Sequence, residues 1–248
     1  MPHIDLWRIL LCAVLILIVV MRANIMAFIA KFVYGRNPEK GLKLFKIADK
    51  IGNLSVNNKQ TLGYILLRNG YPEDAEVNFR QILPRTKHDS PARYKLKNMI
   101  ALSLWKRGHL DDAIEELEEV MESSFRHTMV YQNLGILYNL SDDKEKALKY
   151  NLEAYEYNSD DNIICDNLAD IYIQTGQLDK AKEIYEKMMA GDKKPGFPEA
   201  YYGYGKLLIE LGEKEKGLDM MREALDKTFS YLSIKSKAEV EEMIKSYE

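Results

Sequence analysis

Residues Val130 to Asp161 read VYQNLGILYNLSDDKEKALKYNLEAYEYNSDD, and their spacing decides the fold. Tyr131, Leu134, Gly135 and Tyr138 share one face of a helix, because their 3-4-3 steps match the helical period. Ser141, Asp142 and Asp143 break that pattern, and Ala147, Asn151 and Ala154 begin a second helix. The stretch therefore predicts a helical hairpin. Gly135 and Ala147 are the small residues that let its two helices approach closely. The same twelve-residue step recurs in Gly63/Ala75, Ala101/Ala113, Ala169/Ala181 and Gly205/Gly217.

The first members of these pairs are 38, 34, 34 and 36 residues apart, a period of 34 with short insertions before Ala101 and Gly205. A 34-residue period with a small residue in each helix and large ones at fixed offsets resembles the tetratricopeptide repeat (TPR), whose helix-turn-helix units stack into a superhelix. The resemblance covers roughly residues 25 to 230. It implies an all-α fold, a right-handed TPR-type superhelix of helical hairpins, here preceded by an N-terminal transmembrane helix. Fold alone does not assign function within so broad a family.

Composition agrees with one elongated repeat domain. The 248 residues are 46% hydrophobic and 29% charged, with a net charge of -3. That balance is uneven: residues 1–50 carry +5 and the remainder -8. An acidic repeat domain without a basic stripe is not expected to bind nucleic acid. Two cysteines, Cys12 and Cys165, can form neither a disulfide framework nor a cysteine-based zinc site. The histidines His3, His88, His109 and His127 have no ligand-like spacing, so no metal is expected. Nor is a cofactor, since there is no glycine-rich phosphate loop or nucleophile elbow, and the chain does not read as an enzyme. Carboxylates such as Asp111-Asp112 and Asp142-Asp143 fall at helix starts, where they complement the backbone dipole.

The N-terminal region supplies the membrane signal. Ile9 to Met21 is thirteen residues long and bears no charge, with Arg8 and Arg22 at its edges. Alone it would span about 20 Å, short for a bilayer and compatible with a signal peptide. Leu6, Trp7 and Ala23 lengthen it, and snorkelling arginines make a single-pass anchor the favoured reading. Basic residues concentrate after the run, from Arg22 to Lys50, which places the short N-terminus outside and the repeats in the cytoplasm. An exported form is the alternative.

The expected organisation is a tail and anchor over residues 1–24, a degenerate first hairpin over 25–52, five TPR-like repeats over 53–231 and a C-terminal capping helix over 232–248. In the first hairpin, Ile25, Phe28, Ile29, Phe32 and Val33 prolong the anchor as an apolar stripe, expected to pack on Leu42, Phe45 and Ala48. Gly217 stands where the family prefers alanine and should weaken its helix by roughly 1 kcal/mol. Cys165 occupies a core position and reads as packing rather than as a reactive thiol.

The resemblance also implies a binding surface, because the stripe beside the core on each first helix lines the family's concave groove. By position, the candidate residues are Tyr64, Leu67, Asn98, Leu102, Trp105, Gln132, Asn133, Ile136, Asp166, Asn167 and Asp170. Asn133 and Asn167 lie one repeat apart, where some relatives present an asparagine ladder to a peptide backbone. The lysine, arginine and asparagine set that clamps a terminal carboxylate in other relatives is absent, since its places hold Gln60, Tyr64 and Met99 or Asn133. The expected partner is a protein or peptide held in the groove by a membrane-anchored scaffold. The alternatives are a non-catalytic regulatory subunit of a membrane enzyme or protease, and an exported TPR protein in envelope assembly.

Overall fold

The computed structural model describes residues 6–123 and 125–248. The N-terminal tail, with His3 and Asp5, and Ser124 lie outside the described residues. Among the described residues there are thirteen α-helices and no strand. Helix α1 runs Leu6–Tyr34 and α2 Pro38–Ile51; then come the hairpins α3 (Val56–Arg68) with α4 (Pro72–Ile82), α5 (Pro91–Lys106) with α6 (Leu110–Glu122), and α7 (Thr128–Leu140) with α8 (Lys144–Tyr157). The series continues with α9 (Asn162–Gln174) and α10 (Leu178–Ala190), α11 (Pro198–Glu210) and α12 (Lys214–Ala224), and finishes with α13 (Lys237–Tyr247). First helices also touch one another, α5 on α7, α7 on α9 and α9 on α11, so they form the inner wall of the stack.

Local chemistry sets these boundaries. Ser55, Ser90, Asp143 and Asp161 accept hydrogen bonds from the first-turn amides of α3, α5, α8 and α9. Proline opens α2, α4, α5 and α11, where its missing N–H is no loss. Within four hairpins the first helix stops at a glycine with positive φ: Gly70, Gly108, Gly176 and Gly212. There the next amide reaches back to the last turn, as from Gln177 to the Tyr172 carbonyl at 2.8 Å and from Glu213 to that of Leu208 at 2.8 Å. The Val130 to Asp161 hairpin differs, turning through Ser141 and the Asp143 cap without glycine.

The small-residue pairs mark where helices cross. A Cβ at Gly63 would stand 2.5 Å from the Phe79 ring, and one at Gly135 would stand 2.5 Å from Asn151 Oδ1. The last hairpin is the tightest: a Cβ at Gly217 would lie 2.5 Å from the Gly205 carbonyl oxygen, and one at Gly205 would lie 2.6 Å from the Gly217 carbonyl. The expectation that Gly217 merely weakens α12 is thereby revised, because backbone meets backbone at this crossing and no side chain fits.

Helix α1 also departs from expectation. Its packing face consists of Ala23, Ala27 and Ala30, all buried, with Phe45 and Ala48 of α2 fully buried in the same core. The bulky stripe points away: Ile25, Phe28, Ile29 and Phe32 are exposed, Phe28 at 74%. Small side chains win the interface because α1 and α2 approach closely, and a Cβ at Gly41 would stand 2.3 Å from Tyr34 Cα. Asn24, a polar residue in an apolar helix, ties α1 to the start of the repeats. It accepts from the Ser55 amide and the Asn58 side chain, both at 2.9 Å, and donates to the Asn53 carbonyl at 3.1 Å.

Two substitutions test this account. Phe45→Ala, which empties a fully buried ring site, is expected to cost about 3–5 kcal/mol. Gly217→Ala should lower the melting temperature, although helix propensity alone would raise stability by roughly 1 kcal/mol. Thermal melts in detergent measure both; a stabilised Gly217→Ala protein would refute the backbone crossing.

Candidate functional site

The candidate groove residues divide by burial. Tyr64 is 42% exposed with the Arg68 guanidinium 5.9 Å from its ring centre, whereas Leu67 is fully buried. Asn98 is fully buried and Leu102 nearly so, and neither leaves a surface for a ligand. Their position on the first helices puts them between neighbouring helices of the inner wall. Trp105 is half-buried, and the Lys106 ammonium sits 4.0 Å over its ring.

The asparagines join repeats together. Asn133 donates to Asn98 Oδ1 at 2.9 Å, and Asn167 donates to the Gln132 carbonyl at 2.8 Å. Asn139, outside the candidate set, donates to the Asn167 carbonyl at 2.7 Å and to Asp170 Oδ2 at 3.1 Å. Gln132 itself donates to both oxygens of Asp161 at 2.9 Å. These side chains bridge the helices of the inner wall.

Four candidates meet around one cavity. Ile136, Asp166, Asn167 and Asp170 line a space of about 160 Å³ together with Glu199, Tyr202, Lys206 and Ile234. Asp166 accepts from the Tyr185 hydroxyl at 3.0 Å, and Asp170 from Gln174 at 2.7 Å. Burial, reinforced by the neighbouring carboxylates Asp170 and Glu199, holds the Asp166 carboxyl well above its usual range. Burial likewise raises Asp170 and Glu199. The cavity therefore gathers three carboxyls whose pKa values burial raises, with Lys206 and Lys235 in the same lining.

A segment that the 34-residue period does not cover completes the site. The chain leaves α12 at Leu225 and enters α13 only at Lys237, so Ile234 is not helical as its place in the expected capping helix implied. Between those points it crosses the inner face. The Lys106 ammonium donates to the Ser233 carbonyl at 2.8 Å, the Tyr231 hydroxyl donates to the Lys106 carbonyl at 3.4 Å, and the Ile234 amide donates to Glu199 at 3.0 Å. Burial under this segment lowers the Lys106 pKa, partly offset by Glu199 and Glu239. Sequence reading overlooked the crossing, although Phe229, Tyr231, Leu232 and Ile234 are apolar residues in a stretch without helical periodicity.

Cys165 lies apart from this site. It is buried, donates to the Ser159 carbonyl at 3.3 Å, and burial pushes its thiol up to about 11, far from the range of a reactive thiolate.

Comparison with known proteins follows this geometry. Residues 164–189 and 198–226, in the last two hairpins, match the tetratricopeptide repeat family profile. No curated protein matches the chain by sequence. Among solved structures, it is similar to a tetratricopeptide repeat protein from Parabacteroides merdae, with 14% identity, a TM-score of 0.75, and coverage of 92% of this chain and 84% of that one. A thermophilic TPR protein of Thermus thermophilus gives 19% identity and a TM-score of 0.62 over 78% of this chain and 98% of that one. Pseudomonas aeruginosa pilF gives 14% and 0.60 over 90% and 97%. The fold is the all-α hairpin stack of tetratricopeptide repeat proteins.

The raised carboxyls make a pH prediction. A folded pKa above the unfolded value means that the native state holds its proton more tightly, so stability falls as pH rises from about 4 through the folded value. Asp166→Asn keeps an oxygen for the Tyr185 hydroxyl and removes the charge. Its melting temperature should exceed that of the wild type at pH 7, by about 2–4 °C for each kcal/mol, and the gap should close near pH 4. A gap constant with pH would exclude ionisation of Asp166 as the cause.

Proposed function

We propose that this protein is a membrane-anchored, non-catalytic scaffold that holds a segment of a partner protein in its concave groove. The observation that carries the proposal is the recess on the inner wall, a space of about 160 Å³ where Asp166, Asp170 and Glu199 gather beside Lys206 with their carboxyl pKa values raised by burial. Helix α1 supports the anchor. From Trp7 to Tyr34 it is long and apolar enough to cross a membrane, and its side chains from Trp7 to Arg22 are exposed. The basic residues following the span favour a cytoplasmic repeat domain.

A second reading, a regulatory subunit seated on a membrane enzyme, draws support from Phe28 and Phe32, exposed on the face of α1 turned away from α2. Both readings use the same groove. They differ in what the partner does once bound.

Photocrosslinking tests the groove directly. A photoreactive residue at Ile136 should capture the partner in membranes, whereas one at Lys149 on the outer helix α8 should not; the reverse result would move the site to the convex face. Trp105→Ala is expected to weaken capture at least about tenfold while circular dichroism stays unchanged, the behaviour of a hot spot. For topology, Lys237→Cys in a Cys12→Ser background should resist a membrane-impermeant thiol reagent in intact cells. Labelling without permeabilisation would sink the cytoplasmic assignment and favour export.

A further inference from the structure

The segment from Leu225 to Ser236 has the form of an Ω-loop whose base is closed and whose middle is inserted. Lys237 donates to the Leu225 carbonyl at 3.0 Å, so the two ends meet. Helix α13 is held independently of the loop, by buried Val240 and Ile244 and by a capping box between Ser236 and Glu239. The middle of the loop can therefore leave the groove without undocking α13.

Its contacts resemble those of a bound peptide. The Tyr231 ring lies over Gly70, where a Cβ would stand 3.4 Å from it, at contact distance. The Lys106 ammonium lies 4.0 Å from the Trp105 ring centre and 5.5 Å from that of Tyr231, while binding the Ser233 carbonyl. Ser230 to Ser233 form a turn, the Ser233 amide donating to the Ser230 carbonyl at 3.0 Å, and three residues on from Tyr231 the Ile234 amide meets Glu199 on α11. Ile234 and Lys235 then line the acidic cavity. Main-chain groups are read by Lys106 and Glu199, while the Tyr231 ring rests on Gly70 and Lys235 lines the recess that holds Asp166 and Asp170.

We infer that residues 228–235 are a built-in occupant of the groove, and that the partner presents a turn-forming segment of the same chemistry, an aromatic residue followed three and four positions later by an aliphatic and a basic one. The partner segment takes the strap's place. This inference rests on the groove reading above and adds the class of segment recognised and the competition that controls it. A tethered occupant competes at an effective concentration in the millimolar range, so the free groove binds far more tightly than the strapped one.

The test uses the full chain in detergent and a fluorescent peptide of residues 228–236. In one variant, residues 228–235 are replaced by a glycine-serine linker of equal length. Fluorescence anisotropy should show that this variant binds the peptide at least tenfold more tightly than the wild type, that a scrambled peptide does not bind, and that adding Lys106→Ala removes the gain. Tyr231→Ala in the otherwise intact strap, a change at a half-exposed residue, should raise affinity severalfold and guards against a linker variant that fails to fold. Equal peptide binding by wild type, linker variant and Tyr231→Ala would overturn the inference, as would equal binding of the scrambled peptide. The Ile136 photocrosslink separates the two failures: partner capture without strap-peptide binding refutes the strap and leaves the groove, while loss of both refutes the groove.

Discussion

Close approach of helices at side-chain-free points is the constraint on which this structure depends. A helical hairpin buries a continuous core only when its two helices come close enough for the large residues on either side to interdigitate, and a Gly or Ala at each crossing permits it. Gly63 receives the Phe79 ring, Gly135 receives Asn151, and Gly205 and Gly217 meet through their main chains. The same rule governs the first hairpin, where Ala23, Ala27 and Ala30 turn inward. Bulky neighbours are excluded from that interface, leaving Ile25, Phe28, Ile29 and Phe32 on the outside next to the apolar span.

Polar groups follow from the same stacking. Once first helices lie side by side, their amide side chains fall between repeats, and the Asn133, Asn139 and Asn167 bonds join neighbouring units. Asp166 and Asp170 are buried with neutral hydrogen-bond partners, Tyr185 for the first and Asn139 and Gln174 for the second, with Glu199 and Lys206 lining the same recess. Their placement on the inner wall puts three carboxyls beside the inserted strap, and burial raises the pKa of each.

The strap alters how the groove is to be understood. An open concave face would leave Lys106, Trp105 and Glu199 solvated, and they would resemble many other charged and aromatic residues on repeat proteins. With Tyr231 to Lys235 in place, Lys106 is half-buried and bonded to a carbonyl, and Glu199 holds an amide. The loop thus covers part of the inner face with contacts from its own main chain. At the other end of the stack, Asn24 ties the apolar helix α1 to the start of the repeats through Asn53, Ser55 and Asn58.

The fold was legible in the sequence because the twelve-residue step of the small pairs lies within one hairpin, where spacing translates directly into geometry, and the 34-residue period repeats it. Sequence also located Ile136, Asp166, Asn167 and Asp170 on one stripe, since adjacent repeats present equivalent positions to the same face. What it did not determine depends on how the repeats curve around one another. Burial removed Leu67 and Asn98 from the surface, and the approach of α1 to α2 reversed which face of α1 packs inward. Superhelical curvature brought Lys106 within reach of Ser233, 127 positions away, a separation for which no periodic pattern gives a sign. Tertiary structure decided those contacts because they join surfaces whose distance is set by the summed rotations of every intervening repeat.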